Sequence, residues 1–172
     1  MVILCEDRQQ EVLARHFLTA CGISRKRIRS VIAPKGLGSG EHYVRERYPD
    51  EVQGYRQKCN HLNIALVVMI DADTHSVKAR FDQLEDCLIE KRLPGRGPDE
   101  RIGIFVPRRN IETWIHYLQG AEVNEVDVYP RLPKESDCKP LAHELAQRRS
   151  QPLPDNAPDS LKTACDELAR IL

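Results

Sequence analysis

The sequence lacks several features that would assign it to a familiar class of protein. Its six cysteines include no Cys-x-x-Cys pair, which argues against a zinc site. It has no signal-peptide pattern and no long apolar run, so we expect a cytoplasmic protein with reduced thiols. It also contains no Gly-Lys-Ser/Thr sequence, which excludes a Walker A loop. Its 172 residues suit one domain of ordinary size with a small appendage.

The overall charge indicates no partner, because 26 basic residues balance 26 acidic ones. Charge is nevertheless unevenly distributed along the chain. Residues 25–60 hold nine Lys/Arg against four Asp/Glu, whereas residues 110–137 hold two against six. A basic flank beside an acidic centre is typical of a metal-dependent enzyme that acts on a polyanion. Two ordinary solvated surfaces would give the same pattern.

Short apolar runs alternate with amphipathic helical patterns through the first two thirds of the chain. The predicted strands are residues 1–5, 27–33, 63–70 and 101–106, and the predicted helices are residues 8–21, 41–58, 76–91 and 111–118. This alternation predicts an α/β fold with a four-stranded, mainly parallel sheet and helices on both faces. Pro49 predicts a break near Tyr48 within the second helix.

The pattern changes after Gly120. Residues 121–137 are acidic and interrupted by prolines, and two further helices are predicted at residues 140–149 and 160–172. The last helix carries an apolar stripe that would pack against the rest of the molecule. We therefore expect an α/β domain over residues 1–120 and a C-terminal helical extension over residues 121–172.

Three of the predicted strands end in acidic residues. The first leads into Glu6 and Asp7, the third into Asp71 and Asp73, and the fourth through a basic turn to Glu112. The carboxyl ends of parallel strands share one edge of a sheet, so we expect these carboxylates to converge. Clustered acids tolerate each other best around a cation, and Mg²⁺ or Mn²⁺ takes oxygen ligands. Alternatively, these acids only cap the helices that follow the strands.

Basic residues near the acids are candidate phosphate contacts. Lys35 belongs to the glycine-rich loop of residues 34–40, whose backbone N–H groups and cation could hold a phosphate. As an alternative, this loop is a plain flexible turn. Arg108 and Arg109 could contact phosphates or pair with the acids, and His75 is either a ligand or a helix-start residue.

The acidic segments together resemble the Toprim domain. The matching segments are Cys-Glu-Asp at residues 5–7, Ile-Asp-Ala-Asp at 70–73 and Pro-Arg-Arg-Asn-Ile-Glu-Thr-Trp at 107–114. Topoisomerases, primases, ribosomal-RNA maturases and overcoming-lysogenization-defect nucleases share this domain. The last segment is most similar to the nuclease and stand-alone Toprim-like branches of bacterial phage-defence systems. The resemblance covers about residues 1–118.

The resemblance implies a role for each acid. Glu6 matches the family glutamate, which assists proton transfer or binds metal. Asp71 and Asp73 match the metal-binding aspartates, and Glu112 matches the additional acid of the two-metal nucleases.

The resemblance also implies two auxiliary residues, each with an alternative interpretation. Asp7 would be a further ligand or a surface acid. Lys139 would be the late basic residue of these nucleases or an ordinary residue at a helix start.

The function implied by the resemblance is that of a nuclease dependent on Mg²⁺ or Mn²⁺. Since the chain has no nucleotide-hydrolysis motif of its own, a separate ATPase would work beside it in phage defence. A catalytically silent Toprim-like binding or regulatory subunit is the alternative. A receiver-like domain would need a lysine after the fourth strand, and a haloacid-dehalogenase-type phosphatase places its Asp-x-Asp after the first strand, so both fit worse.

Overall fold

The computed structural model of the protein describes residues 1–36 and 38–172. The elements are β1 (Val2–Cys5), α1 (Arg8–Ala20), β2 (Arg29–Ile32), α2 (Gly40–Arg56), β3 (Leu66–Met69), α3 (Val77–Glu90), β4 (Ile102–Phe105), α4 (Ile111–Leu118), α5 (Lys139–Gln147) and α6 (Asp159–Leu168). Each predicted strand and helix is therefore present, with its ends shifted by a few residues at most.

The four strands form one sheet in the order β2-β1-β3-β4, and all three neighbouring pairs are parallel. This confirms the predicted α/β fold with a parallel sheet. Cys5 at the end of β1 is aligned with Met69 at the end of β3, and Met69 is aligned with Phe105 at the end of β4. The segments after these three strands consequently leave the sheet at the same edge.

Alternate side chains of the strands pack in two separate hydrophobic clusters. Val67 and Met69 belong to the first cluster together with residues of α1, α4, α5 and α6. Leu66 and Val68 belong to the second cluster together with residues of α2 and α3. Since successive residues of a strand point to opposite sides, different helices cover the two faces of the sheet. The C-terminal helices thus share a core with α1 and α4.

The predicted break near Tyr48 is wrong, because α2 continues through Pro49. Proline has no N–H and removes one hydrogen bond from the helix. Val44, Tyr48 and Val52 are nonetheless fully buried against the second cluster. Tertiary packing of this helical face outweighs the lost bond, as it commonly outweighs local propensity.

Two findings bear on where the chain resides. Within the two described ranges, no helix combines the length and apolarity that crossing a membrane requires. All six cysteines are free thiols. The cytoplasmic location itself stays a prediction.

Candidate functional site

The sheet brings the first two predicted acids into contact. Glu6 directly follows β1, and Asp71 follows the neighbouring strand β3. The Glu6 Oε1 atom accepts a hydrogen bond of 2.6 Å from the backbone N–H of Asp71. The convergence expected from the parallel strand ends is therefore present for this pair.

Gln10, on the first helix, connects the same two acids. Its Nε2 donates to Asp71 Oδ1 at 2.9 Å, and its Oε1 accepts from the backbone N–H of Glu6 at 3.0 Å. Gln10 is fully buried. A buried amide held at both ends fixes the orientation of the Asp71 carboxylate, because either broken bond would leave a polar group unsatisfied.

Glu112 approaches the cluster from the first turn of α4. Its side chain is 3% exposed, and within the described chain its Oε1 atom has no hydrogen-bond partner. The nearest cation is Arg131, whose Nε lies 3.6 Å from that oxygen and whose Nη2 lies 3.0 Å from Asp7 Oδ2. Arg131 thus bridges two carboxylates of the predicted site.

Helix capping, the alternative role of these acids, accounts for Asp7 but not for Glu6 and Asp71. The side chain that caps α1 is Asp7, which accepts from the backbone N–H of Gln10 at 3.0 Å. The side chain that caps α3 is Ser76, which accepts from Ala79 N–H at 3.0 Å. Capping explains Asp7, but Glu6 and Asp71 engage each other and Gln10 instead.

Asp73 is placed differently from Asp71. The strand ends at Met69, and Asp73 has a φ of 52°, so strand alternation no longer governs its direction. Its side chain is 56% exposed, and its Oδ2 lies 3.4 Å from Nη2 of the buried Arg80. Arg80 also donates to the carbonyl of Asp71 at 2.9 Å and pairs with Glu41. Asp73 is therefore at the solvent side of the cluster.

Burial and mutual repulsion raise the pKa values of the three inner acids. Burial raises the pKa of Glu6 to about 7, and the nearby Asp73 charge adds to this rise. The pKa of Asp71 is well above its usual range because of burial first and then the charge of Glu6. Burial likewise raises the pKa of Glu112. Ionisation of each of these carboxyl groups therefore costs free energy in the folded protein, and a bound cation would lower that cost.

A cleft of about 690 Å³ opens beside Glu6 and Asp7. Arg8, Lys35 and Arg131 also line it, together with a third acid, Glu135. Lys35 therefore lies in the same cleft as Glu6 and Asp7, and its contact with phosphate stays a prediction. The glycine-rich loop that carries it includes Leu37, which is outside the described residues.

The remaining predicted basic residues are less directly involved. Arg108 donates to the carbonyl of His75, and the carbonyl of Arg109 accepts the N–H of Asp73 at 3.1 Å. These contacts brace the turn after β3, while the His75 side chain is exposed. Lys139 is an exposed residue at the start of α5, and burial together with the Lys139 charge lowers the pKa of His16. Arg131 contacts Asp7 and Glu112, and Arg80 contacts Asp73.

Sequence reasoning missed Gln10, Arg80 and Arg131. Gln10 and Arg80 could have been identified from the sequence. Gln10 lies three residues before Leu13 and Arg80 four residues before Leu84, so each is a polar residue on the apolar face of its helix. A polar residue on such a face indicates a buried polar contact. Arg131 lies in an irregular segment, and no periodicity could have identified it.

The donor set fits a hard divalent cation in its chemistry. All candidate ligands are carboxylate oxygens, which Mg²⁺ and Mn²⁺ prefer, and Glu112 offers a buried oxygen without a hydrogen bond. In residues 1–36 and 38–172, however, no three His, Cys, Asp or Glu side chains are grouped as metal ligands. Side-chain rotation toward a common centre would be needed to complete a coordination shell.

Comparisons with family models, curated proteins and solved structures found nothing that matches the chain. The Toprim resemblance consequently rests on the residues themselves and on the parallel sheet that carries them.

Proposed function

We propose that the protein is a Mg²⁺- or Mn²⁺-dependent nuclease with a Toprim-like site. The observation that carries this proposal is the hydrogen-bond contact between Glu6 and Asp71 at two neighbouring strand ends. The buried Glu112, from a third segment, is near enough for its charge to help raise the pKa of Asp71. Burying several carboxylates together is costly unless a cation compensates them. Glu6 also lines a cleft to which Arg8, Lys35 and Arg131 contribute positive charge.

The environment of each acid supports a division of roles. The buried Asp71 and Glu112 would hold the cation, and Asp73 would assist from the solvent side because its side chain is largely exposed. Glu6 lines the cleft and accepts a proton from the attacking water, since its pKa near 7 suits a general base at neutral pH. Bound divalent cations would supply electrostatic stabilisation of the scissile phosphate and would acidify water.

The substrate in this proposal is a nucleic acid, and its phosphates contact the cations around the cleft. Lys35 and Arg8 line the cleft itself. Arg108 and Arg109 lie at the turn behind the acids and are auxiliary candidates. A separate ATPase that gates the nuclease in phage defence and a cytoplasmic location are further parts of the proposal.

Cleavage of labelled DNA and RNA in the presence of Mg²⁺ or Mn²⁺ tests the proposal. We expect nicking or cleavage that EDTA, Asp71→Ala or Glu6→Ala abolishes while circular dichroism shows an intact fold. Asp82→Ala serves as the matched control, because Asp82 is an exposed acid on α3 that pairs with Lys78. Equal cleavage by the wild type and by Asp71→Ala would contradict the proposal.

One observation favours the silent alternative, namely that no three-ligand group is formed among the described side chains. A binding or regulatory subunit would bind Mn²⁺ or a protein partner and cleave no nucleic acid. Measuring Mn²⁺ binding and cleavage on the same preparation distinguishes the two functions.

A further inference from the structure

Arg131 lies on the irregular segment of residues 119–134 between α4 and the short helical turn at Glu135–Cys138. Its side chain is 75% exposed, yet its guanidinium reaches two acids of the proposed site. Nη2 lies 3.0 Å from Asp7 Oδ2, and Nε lies 3.6 Å from Glu112 Oε1. The Arg131 guanidinium therefore places a positive charge beside the carboxylates of Asp7 and Glu112.

The contact with Glu112 is incomplete. A separation of 3.6 Å is too long for a hydrogen bond, and Glu112 Oε1 has no such bond with any described residue although it is buried. The guanidinium attracts this oxygen only through its charge. A smaller cation could coordinate Glu112 Oε1 directly, because Arg131 leaves this oxygen without a hydrogen bond.

The segment around Arg131 is held at a few points outside the acid cluster. The carbonyl of Pro130 lies 3.1 Å from Nε2 of His116, and Leu132 packs on the first hydrophobic cluster. The long arginine side chain projects from these anchors into the cleft. It can therefore leave the acids by rotation about its own bonds, without unfolding of the segment.

We propose that Arg131 is an internal competitor of the metal. It neutralises Asp7 and Glu112 in the metal-free protein and moves away when a divalent cation binds. This inference rests on the proposed metal site and adds a residue that sets its affinity. Once displaced, the guanidinium remains in the same cleft as Lys35 and Arg8, where it can contact a phosphate of the substrate.

The affinity for Mn²⁺, measured by calorimetry or by electron paramagnetic resonance of free Mn²⁺, tests this inference. Arg131→Gln removes the competing charge, so we expect it to bind Mn²⁺ about tenfold more tightly than the wild type. Arg131→Lys retains the charge and should stay within about twofold of the wild type. Arg148→Gln is the matched control, because it removes an equal charge from an exposed arginine that pairs with Glu144 on α5.

The outcomes separate the two proposals. If the wild type binds Mn²⁺ and Arg131→Gln binds it equally or less tightly, Arg131 is no competitor and the metal site stands. If neither protein binds Mn²⁺, both the metal site and the inference fail.

Discussion

At the scale of single residues, the acids of the cluster differ in how their charge is compensated. Glu6 accepts one backbone N–H, Asp71 accepts one amide donor, and Glu112 Oε1 has no hydrogen bond among the described residues. Burial nevertheless raises the pKa of all three. A carboxyl group whose pKa is higher in the folded than in the unfolded chain binds its proton more tightly in the folded state. Deprotonation therefore destabilises the fold.

The raised pKa of Glu6 predicts how the free energy of unfolding depends on pH in the absence of metal. Between the ordinary pKa of 4.5 and the folded value of about 7, folded Glu6 keeps a proton that the unfolded chain releases. Stability should thus fall as the pH rises through 7. At pH 8 we expect Glu6→Gln to raise the free energy of unfolding by about 1–3 kcal/mol. Urea denaturation in EDTA from pH 5 to pH 8 measures this change.

Glu144→Gln provides the control for that experiment, because Glu144 is exposed on α5 and pairs with Arg148. The free energy of unfolding of the Glu144→Gln variant should depend on pH in the same way as that of the wild type. A Glu6→Gln profile parallel to that of the wild type would show that Glu6 does not titrate in this range.

At the scale of elements, local pattern identified the strands and helices and the acids that follow the strands. Apolar runs and the order of elements were sufficient for that purpose. The continuity of α2 through Pro49 was not predictable, because it depends on burial against residues far along the chain. The bridging role of Gln10 likewise depends on two strand ends that meet only in the folded sheet.

The close approach of α2 to the end of β1 yields a prediction about Gly40. A Cβ atom at Gly40 would lie 2.8 Å from the Cβ of Glu6 and 3.0 Å from its carbonyl oxygen. Gly40→Ala should therefore displace Glu6 or the start of the helix. We expect a loss of about 1–3 kcal/mol in the free energy of unfolding, as for other overpacked sites. Chemical denaturation measures this loss.

Gly54→Ala is the matched control in the same helix. A Cβ at Gly54 would meet no atom within 4 Å. Alanine there should stabilise the protein by about 0.5–1 kcal/mol, because glycine is unfavourable inside a helix. If Gly40→Ala were as stable as Gly54→Ala, the contact between α2 and Glu6 would be looser than described.

At the scale of the whole molecule, the C-terminal extension shares its core with the sheet. Ile171 is fully buried, and Trp114 of α4 donates from Nε1 to Ser160 of α6 at 2.8 Å. Glu167 of α6 also accepts the backbone N–H of Ile104 at 2.8 Å, which covers the β4 edge of the sheet. The sequence predicted the packing stripe of the last helix but contained no signal for these particular partners.

This shared core predicts that the extension unfolds together with the sheet. Ile171→Ala should lower the free energy of unfolding by about 2–4 kcal/mol, as for other buried aliphatic side chains. Leu172, the half-exposed neighbour of Ile171, offers a control. Leu172→Ala should change the free energy of unfolding by less than about 0.5 kcal/mol. Fluorescence of Trp114 and circular dichroism should report one coincident transition. Separate transitions would instead indicate an extension that folds independently.

The proposed site requires acids distant in sequence to hold one divalent cation at the edge of the sheet. An anomalous-scattering map from crystals of the protein soaked in Mn²⁺ would reveal such a cation. We expect a peak bounded by Glu6, Asp71 and Glu112, with the Arg131 guanidinium displaced from Glu112. A map without a peak among these carboxylates at saturating Mn²⁺ would contradict the proposed site.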